Sequence, residues 1–258
     1  MVIPRYAHVV RQNLIELDYS LLIGQIDQSK ERLVPEVDSA SWLEIHLMPY
    51  RYAVPFVEGA EVLEVGCGNG YGAALLAGAA ARVVAFDLHD EPVAYAMAHY
   101  ARPNLEFFVG SAGEPFPLPD ASFDLVFSSE TLEHVERWER MLDEVGRVLR
   151  PGGLCILKTP NALFARRDNP FHHKVFYSGE LESALAARFD NVVLWGFGIG
   201  FSHSFEVRPA GEQAAAARFG EPAMLCEEVV VRGWMRPVLY PDPDEGADLL
   251  ALCKKGEG

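Results

Sequence analysis

The sequence predicts an α/β protein with a doubly wound, mostly parallel sheet that is covered by helices on both faces. Short strand-like runs alternate with helical segments from about residue 60 onward, which is the pattern of consecutive β–α units. Half of the 258 residues are hydrophobic and 23% are charged, which is the balance of a packed protein. A chain of this length can bury most of its apolar surface without disulfide bonds. These observations together favour one α/β core.

Each predicted element follows from its residue pattern. The strands are short runs rich in Val, Leu, Ile and Phe, whereas the helices repeat apolar residues three and four positions apart. The segment Pro151-Gly152-Gly153 ends one helix, because proline cannot continue it and glycine favours its C-terminus. The predicted elements in chain order are strand 61–65, helix 71–81, strand 82–86, helix 91–100, strand 105–109, strand 123–128, helix 138–149, strand 154–159 and strand 248–253.

We expect a single domain over residues 1–258. Leu14, Leu17 and Leu21 are spaced as on an amphipathic helix, and a second helix is expected over 42–56. Glycines, prolines and a short Ala-rich stretch near Ala214–Arg218 predict an irregular segment before the last strand. The predicted parts are an N-terminal helical cover (1–58), the ligand-binding core (59–195), an insertion or lid (196–246) and the last strand with the tail (247–258).

The chain has a formal net charge of −15, from 22 Lys and Arg against 37 Asp and Glu. Nucleic acid and an anionic membrane surface are not expected as main partners, because both would be repelled. We see no signal peptide and no run of about 18 apolar residues that could cross a membrane. The cysteines lack metal-type spacing, so we expect reduced thiols and a cytoplasmic protein. The oligomeric state stays open.

A glycine-rich loop between the first strand and the first helix of the core carries the chemical information. Gly66, Gly68 and Gly70 let the backbone turn sharply and approach a ligand closely. The turn also directs free N–H groups at the helix start toward the crevice beyond the strand. Asp87 ends the next strand, 21 residues after Gly66, where an acid can accept hydrogen bonds from both ribose hydroxyls. The loop therefore predicts a site for an adenosine-like ligand.

Three classes of protein remain compatible with this loop. A nicotinamide-dependent oxidoreductase shares the acidic strand end, but Tyr71 stands where the dinucleotide pattern has its third glycine. A triphosphate loop is excluded, because no Lys-Ser/Thr pair follows the glycines. The second class is a cofactor-binding scaffold without catalysis, which would keep the same residues. The third class is an enzyme that uses another adenosine-containing cofactor.

Five motifs resemble those of class I S-adenosylmethionine-dependent methyltransferases and occur in that family's order. The resemblance covers roughly residues 42–195. It implies a Rossmann-like, seven-stranded sheet whose last strand is antiparallel, S-adenosyl-L-methionine as the cofactor and S-adenosyl-L-homocysteine as the product. Segments 31–35 and 169–174 resemble a bacterial small-molecule subgroup. The five motifs are Glu64-Val-Gly-Cys-Gly-Asn-Gly70, Phe86-Asp87, Phe123-Asp-Leu-Val126, Glu133-His-Val135 and Leu149-Arg-Pro-Gly-Gly153.

The resemblance also implies the residues that hold the cofactor. Asp87 would bind the ribose, and Leu88 would pack on the adenine. Ser111 stands where the family commonly has an Asp for the adenine amino group, so the backbone at Ala112 could take over this contact. Ser129 would lie near the sulfonium. The methionine end would be held by Glu64 and by the backbone of Gly66, Cys67, Gly68 and Gly70.

Transfer to an oxygen or nitrogen of a small molecule, such as a sugar or secondary metabolite, is the expected function. It needs mainly in-line positioning of donor and acceptor, and a base only where the acceptor must lose a proton. We predict His134 and His172 as catalytic, since both follow strands at the ligand edge and imidazole titrates near neutral pH. His173 and Glu130 are further candidates. No metal is expected, because adjacent histidines in an extended segment point apart.

Overall fold

The computed structural model describes residues 15–17, 40–165, 169–209 and 226–257. These residues fall into two compact units, one drawn from 1–27 and 199–236 and the other from 28–198 and 237–258. In the smaller unit, β1 (Ile15–Leu17) pairs in antiparallel fashion with residues 233–235. The larger unit contains the α/β core and the candidate site.

The observed elements follow the predicted alternation closely. Helix α3 begins with Asp90 and Glu91, whose charges suit the positive end of a helix, and Pro92 follows in the first turn. The elements in chain order are α1 (Ala40–Val57), β2 (Glu61–Val65), α2 (Tyr71–Leu76), β3 (Arg82–Asp87), α3 (Asp90–His99), β4 (Leu105–Val109), β5 (Phe123–Ser129), α4 (Trp138–Val148), β6 (Leu149–Pro160), α5 (Ser178–Ala186), β7 (Asn191–Pro209), β8 (Cys226–Tyr240) and β9 (Asp248–Lys254).

The sheet of the larger unit has the strand order β7-β9-β6-β5-β2-β3-β4. Strands β4, β3, β2, β5 and β6 pair in parallel, whereas β9 is antiparallel to both β6 and β7. The doubly wound, mostly parallel fold with an antiparallel last strand is therefore confirmed.

Burial explains why the central strands read as continuous apolar runs. Val62, Leu63 and Val65 of β2 are fully buried, as expected for a parallel strand with helices on both faces. Helix α4 is amphipathic and buries four side chains from successive turns, Met141, Leu142, Val145 and Val148. The carboxyl ends of β2, β3, β4 and β5 meet at one edge, because these strands are parallel, and the loops that follow them build the site.

Two predictions about the chain outside the core are wrong. Residues 15–17 form a strand rather than part of a helix, since Ile15-Glu16-Leu17 also alternates with the strand period of two. Within 196–246, predicted to be irregular, β7 continues to Pro209 and β8 covers 226–240. Closely spaced glycines (196, 198 and 200) masked the strand signal.

Other predictions fall partly or wholly outside the described residues. The Ala-rich stretch near 214–218 and most of the N-terminal cover belong to this group, although the second predicted helix is present as α1. The division into one domain with a cover and a lid stays a prediction. Among the described residues, Cys67, Cys155 and Cys253 are buried free thiols. No helix in the described ranges is long and apolar enough to cross a bilayer.

Candidate functional site

A cavity of about 1010 Å³ opens at the edge of the sheet where β2, β3, β4 and β5 end. Helix α1 forms another part of its wall through His46 and Tyr50. This volume is at the upper end of the range for small-molecule sites, about 300–1,000 Å³, and leaves room for two ligands side by side. The lining residues of the four strand-end loops include Gly66, Cys67, Gly68, Asn69, Asp87, Leu88, His89, Ser111, Ala112, Ser129, Glu130, Thr131 and His134.

The glycines of the loop after β2 serve different purposes. Gly66 and Gly70 have φ of +80°, where glycine avoids the strain of a side chain. A Cβ at Gly66 would lie 2.1 Å from Thr131 Oγ1, and one at Gly70 would lie 2.5 Å from Ala96 Cβ. These two glycines are required by the protein's own packing. A Cβ at Gly68 would have no atom within 4 Å, so the open side of this glycine is where a ligand can reach the backbone.

Asp87 fixes the loop and presents its carboxylate to the cavity. Oδ2 accepts a hydrogen bond from the Gly68 N–H at 2.9 Å, and Oδ1 accepts one from the His89 N–H at 3.2 Å. A carboxylate has about four acceptor positions, so capacity for a ligand remains. Beside it, Leu88 is 60% exposed and lines the cavity, which gives an apolar surface next to the acid.

Glu64 is a buried acid behind the glycine loop and is not itself among the lining residues. Its Oε1 accepts a hydrogen bond of 2.7 Å from the Tyr50 hydroxyl, whereas its Oε2 is buried with no hydrogen-bond partner in the structure. Burial raises the pKa of Glu64 to about 7, although the Tyr50 hydrogen bond acts in the opposite direction. An orphaned buried oxygen of this kind is costly unless a ligand or water satisfies it.

The raised pKa of Glu64 predicts a specific pH dependence of stability. Between the ordinary value of 4.5 and about 7 the folded protein holds a proton that the unfolded chain has lost, so stability falls as the pH rises through this window. We expect the Glu64→Gln variant to gain about 2–3 kcal/mol over the wild type at pH 8 and nothing at pH 4. Urea unfolding of ligand-free protein at both pH values measures the difference. The exposed Glu58→Gln variant is the control, and an equal gain there would contradict the prediction.

The loop after β5, which adjoins the glycine loop, contains an ionised carboxylate. Glu130 lines the cavity with a left-handed backbone, φ +53°, which is rare for a residue other than glycine and typical of functional sites. The buried Lys158 ammonium contacts Glu130 and lies 2.8 Å from Asp248 Oδ2. Burial works to raise the pKa of Glu130, but Lys158 outweighs it and holds this pKa below its ordinary value. Glu130 therefore stays charged at neutral pH.

Glu133 and His134 lie on a short 3-10 helix (Leu132–His134) that comes shortly after Glu130 in the chain. Glu133 is fully buried, and its Oε2 accepts a hydrogen bond of 2.9 Å from the Thr159 hydroxyl. Burial and the nearby charge of Glu130 raise the pKa of Glu133 well above its ordinary value. His134 lines the cavity, with Nδ1 3.1 Å from the Phe171 carbonyl oxygen and Nε2 3.7 Å from Glu133 Oε1. The ring of His172 packs edge-on against His134 at 4.9 Å.

Most of the predicted site residues meet in this cavity. Glu64, Gly70 and His172 are not among its lining residues, whereas His173 is. The Ser111 hydroxyl accepts a hydrogen bond of 3.3 Å from the Gly113 N–H. The predicted residues that line the cavity are Gly66, Cys67, Gly68, Asp87, Leu88, Ser111, Ala112, Ser129 and His134.

The sequence predicts that the helix with His46 and Tyr50 closes over the cofactor, but it did not predict the hydrogen bond from Tyr50 to Glu64 or the contribution of Thr131. Tyr50 belongs to a helix outside the motifs, and only its hydrogen bond to Glu64 reveals its place. A weak signal did exist for Thr131, since it lies between Ser129 and the Glu133-His134 motif. Its hydroxyl lies within 3.3 Å of the Val65 carbonyl oxygen and links the loops after β2 and β5.

Residues 63–157 match the family described as the methyltransferase domain. With the strand order and the glycine-loop cavity described above, this match indicates a methyltransferase domain with a Rossmann-like fold in this segment of the chain. The relatives described next are named S-adenosylmethionine-dependent, so S-adenosylmethionine is the cofactor that the site has to fit. The predicted family resemblance is thereby confirmed.

The relatives agree with this class. A protein of Mycobacterium tuberculosis named probable S-adenosylmethionine-dependent methyltransferase is 38% identical over 173 residues, which cover 64% of this chain and 62% of that protein. The fatty-acid O-methyltransferase of Mycolicibacterium smegmatis is 38% identical over 46% of this chain and 43% of its own length. The chain thus matches less than two thirds of either relative. A methyltransferase structure from Thermotoga maritima, at 19% identity, covers 83% of this chain and 93% of its own with a TM-score of 0.55, and shows the shared fold.

The residues around the glycine loop fit this cofactor. The open face of Gly68 lets a ligand approach the backbone, and Asp87 keeps acceptor capacity for ribose hydroxyls. The orphaned Oε2 of Glu64 is a buried acceptor close behind the same loop. These observations support the cofactor side that is proposed below, formed by the loops after β2 and β3.

Proposed function

We propose that the protein transfers a methyl group from S-adenosylmethionine to an oxygen or nitrogen atom of a small molecule. One observation carries the proposal: the same cavity joins the Gly68–Asp87 side, which fits the cofactor, to a second side with Glu130 and His134. Its volume of about 1010 Å³ leaves space for an acceptor next to the cofactor. The proposed cofactor-binding residues are Glu64, Gly66, Cys67, Gly68, Gly70, Asp87, Leu88, Ser111, Ala112 and Ser129.

The charge of the cavity favours a hydroxyl or amine acceptor. Asp87, Glu114, Glu130 and Glu136 all line it, whereas Arg137, the one Lys or Arg among the described lining residues, is bound to Glu114 at 2.9 Å. A negatively charged acceptor would therefore be repelled, and a neutral or cationic one would be attracted. The similarity to a fatty-acid O-methyltransferase suggests instead that the acceptor is a carboxylate. The four acidic residues that line the cavity argue against a carboxylate acceptor for this chain.

The chain's own residues would act mainly by positioning. The bound cofactor supplies an activated methyl group on a sulfonium, so close and in-line placement of the acceptor provides most of the acceleration. Glu130, kept ionised by Lys158, would accept a hydrogen bond from the acceptor hydroxyl or amine. His134 would take up a proton or orient the acceptor, and His172 would act through its contact with the His134 ring. The surrounding loops would exclude water.

Product formation tests the proposal directly. We expect purified protein with S-adenosylmethionine to release S-adenosylhomocysteine when supplied with pooled small hydroxyl or amine compounds, and not with a fatty acid. Turnover with the fatty acid alone would overturn the charge argument. Cofactor binding without turnover in any pool would favour a scaffold, and tight NADH binding would favour an oxidoreductase. In active pools, a lower kcat/KM for the acceptor in Glu130→Gln supports the role of Glu130, and a wild-type kcat/KM contradicts it.

A further inference from the structure

We propose that Glu133, His134 and His172 form a binding site for one divalent transition-metal ion, of which zinc is the probe, beside the proposed acceptor side of the cavity. Each of the three side chains offers one ligand atom, and these atoms lie within 4.8 Å of one another. Ligand atoms around a tetrahedral zinc ion lie about 3.4 Å apart, given bonds of about 2.1 Å. Each side chain would have to move inward by about 1 Å to bring the three ligand atoms to this spacing.

The carboxylate of Glu133 provides the strongest argument. Its Oε2 is satisfied by Thr159, whereas its buried Oε1 has no partner at hydrogen-bond distance among the described residues. The distance of 3.7 Å from Oε1 to His134 Nε2 is too long for a hydrogen bond and leaves a gap between the two atoms. A cation in this gap would satisfy the orphaned oxygen and the imidazole nitrogen together.

His134 already has the arrangement of a metal ligand. The Phe171 carbonyl oxygen can only accept, so the 3.1 Å contact places the ring proton on Nδ1. Nε2 is then the ring atom that faces Glu133 Oε1, at 3.7 Å. Donation of the other ring N–H to a backbone carbonyl is the usual support of a metal-bound histidine.

The loop that carries His172 is fixed against Glu133. The backbone N–H groups of His173 and Lys174 both donate to the Glu133 carbonyl oxygen, at 2.7 and 3.2 Å. His172 Nε2 lies 3.0 Å from the Asn169 side-chain nitrogen, which leaves Nδ1 as the atom that this ring can offer. Metal binding at Nδ1 would move the ring proton to Nε2. Asn169 would then have to present its oxygen to this proton and give up the hydrogen bond that Oδ1 accepts from the Phe171 N–H at 3.0 Å.

The donor set selects the class of ion. Two imidazoles and one carboxylate are ligands of zinc and of neighbouring transition metals, whereas magnesium and calcium prefer oxygen alone. His134 lines the cavity, so the remaining coordination positions of the ion would be open to it. A hydroxyl bound there would lose its proton near neutral pH. This consequence rests on the proposed function, but the binding of the ion does not.

Calorimetric titration of chelator-treated, tag-free protein with zinc sulfate tests the site, and the visible spectrum of the cobalt-loaded protein reports its geometry. We expect one ion per chain, binding at least 100-fold weaker in Glu133→Gln and in His172→Ala, and a tetrahedral cobalt spectrum that is lost with them. His173→Ala is the matched control and should bind as the wild type does. Thermal melts establish that each variant is folded.

Asn169→Asp gives a gain-of-function test. Its carboxylate would accept the His172 Nε2–H, so we expect several-fold tighter zinc binding than in the wild type. The proposal is overturned if the wild type binds no zinc, if His172→Ala binds as tightly as the wild type, or if Asn169→Asp weakens binding. None of these measurements depends on methyl transfer, so failure of the metal site and failure of the proposed function are distinguishable.

Discussion

The Asp87→Asn variant is expected to bind S-adenosylhomocysteine at least 100-fold more weakly than the wild type. The carboxylate of Asp87 accepts from the Gly68 and His89 N–H groups and still has acceptor positions for a ribose. An amide has a single oxygen, so it cannot serve both backbone donors and the ligand. Each charge-assisted hydrogen bond contributes about 1.5–3 kcal/mol, and a loss of about 3 kcal/mol corresponds to about 100-fold in affinity. Calorimetric titration with S-adenosylhomocysteine measures this change.

Asp90→Asn is the matched control for this prediction. Asp90 is exposed in the first turn of α3, three residues after Asp87, and is not among the residues that line the cavity. The same charge is removed close by, so a general electrostatic effect would appear in both variants. Binding by Asp87→Asn within threefold of the wild type, in a protein of normal thermal stability, would remove Asp87 from the proposed cofactor site.

The core of the fold could be predicted because local and tertiary signals agree there. Val62, Leu63 and Val65 are all apolar, and the two valines are β-branched. They are buried on both faces of the sheet, as a parallel strand requires. The glycines of the loop are visible in the sequence for the same reason, since Gly66 and Gly70 have backbone angles and neighbours that exclude a side chain. Such positions leave little choice of residue. Their sequence is therefore informative by itself.

Individual residues of the second side of the cavity, such as Glu130 and His134, could be predicted, but not the contacts among them, because the partners are distant in sequence. The sequence argument against a metal considered only residues that are close together along the chain. The structure brings His172 to the Glu133-His134 pair through backbone hydrogen bonds from the following two residues. Tyr50, in the same way, reaches Glu64 from a helix that belongs to no motif. Contacts of this kind depend on how elements pack and leave no periodic signal.

Lys158→Met is expected to be the most destabilising of the single charge removals considered for this protein. Lys158, on β6, is buried and contacts Glu130 after β5 and Asp248 at the start of β9. Removal of the ammonium leaves two carboxylates close together without their counter-charge. Breaking a buried pair in this way costs about 3–5 kcal/mol, and the partial exposure of the two acids places the expected loss near 3 kcal/mol. Urea unfolding at pH 7 measures it.

A second substitution separates the charge effect from lost packing. In Lys158→Met with Asp248→Asn, one of the two stranded carboxylates is neutralised, so we expect about half of the lost stability to return. Lys254→Met is the surface control, because Lys254 pairs with Glu257 in an exposed position and its removal should leave the stability nearly unchanged. If the double variant is no more stable than Lys158→Met, the loss comes from packing alone. The account in which the charge of Lys158 keeps Glu130 ionised in the cavity would then lose its support.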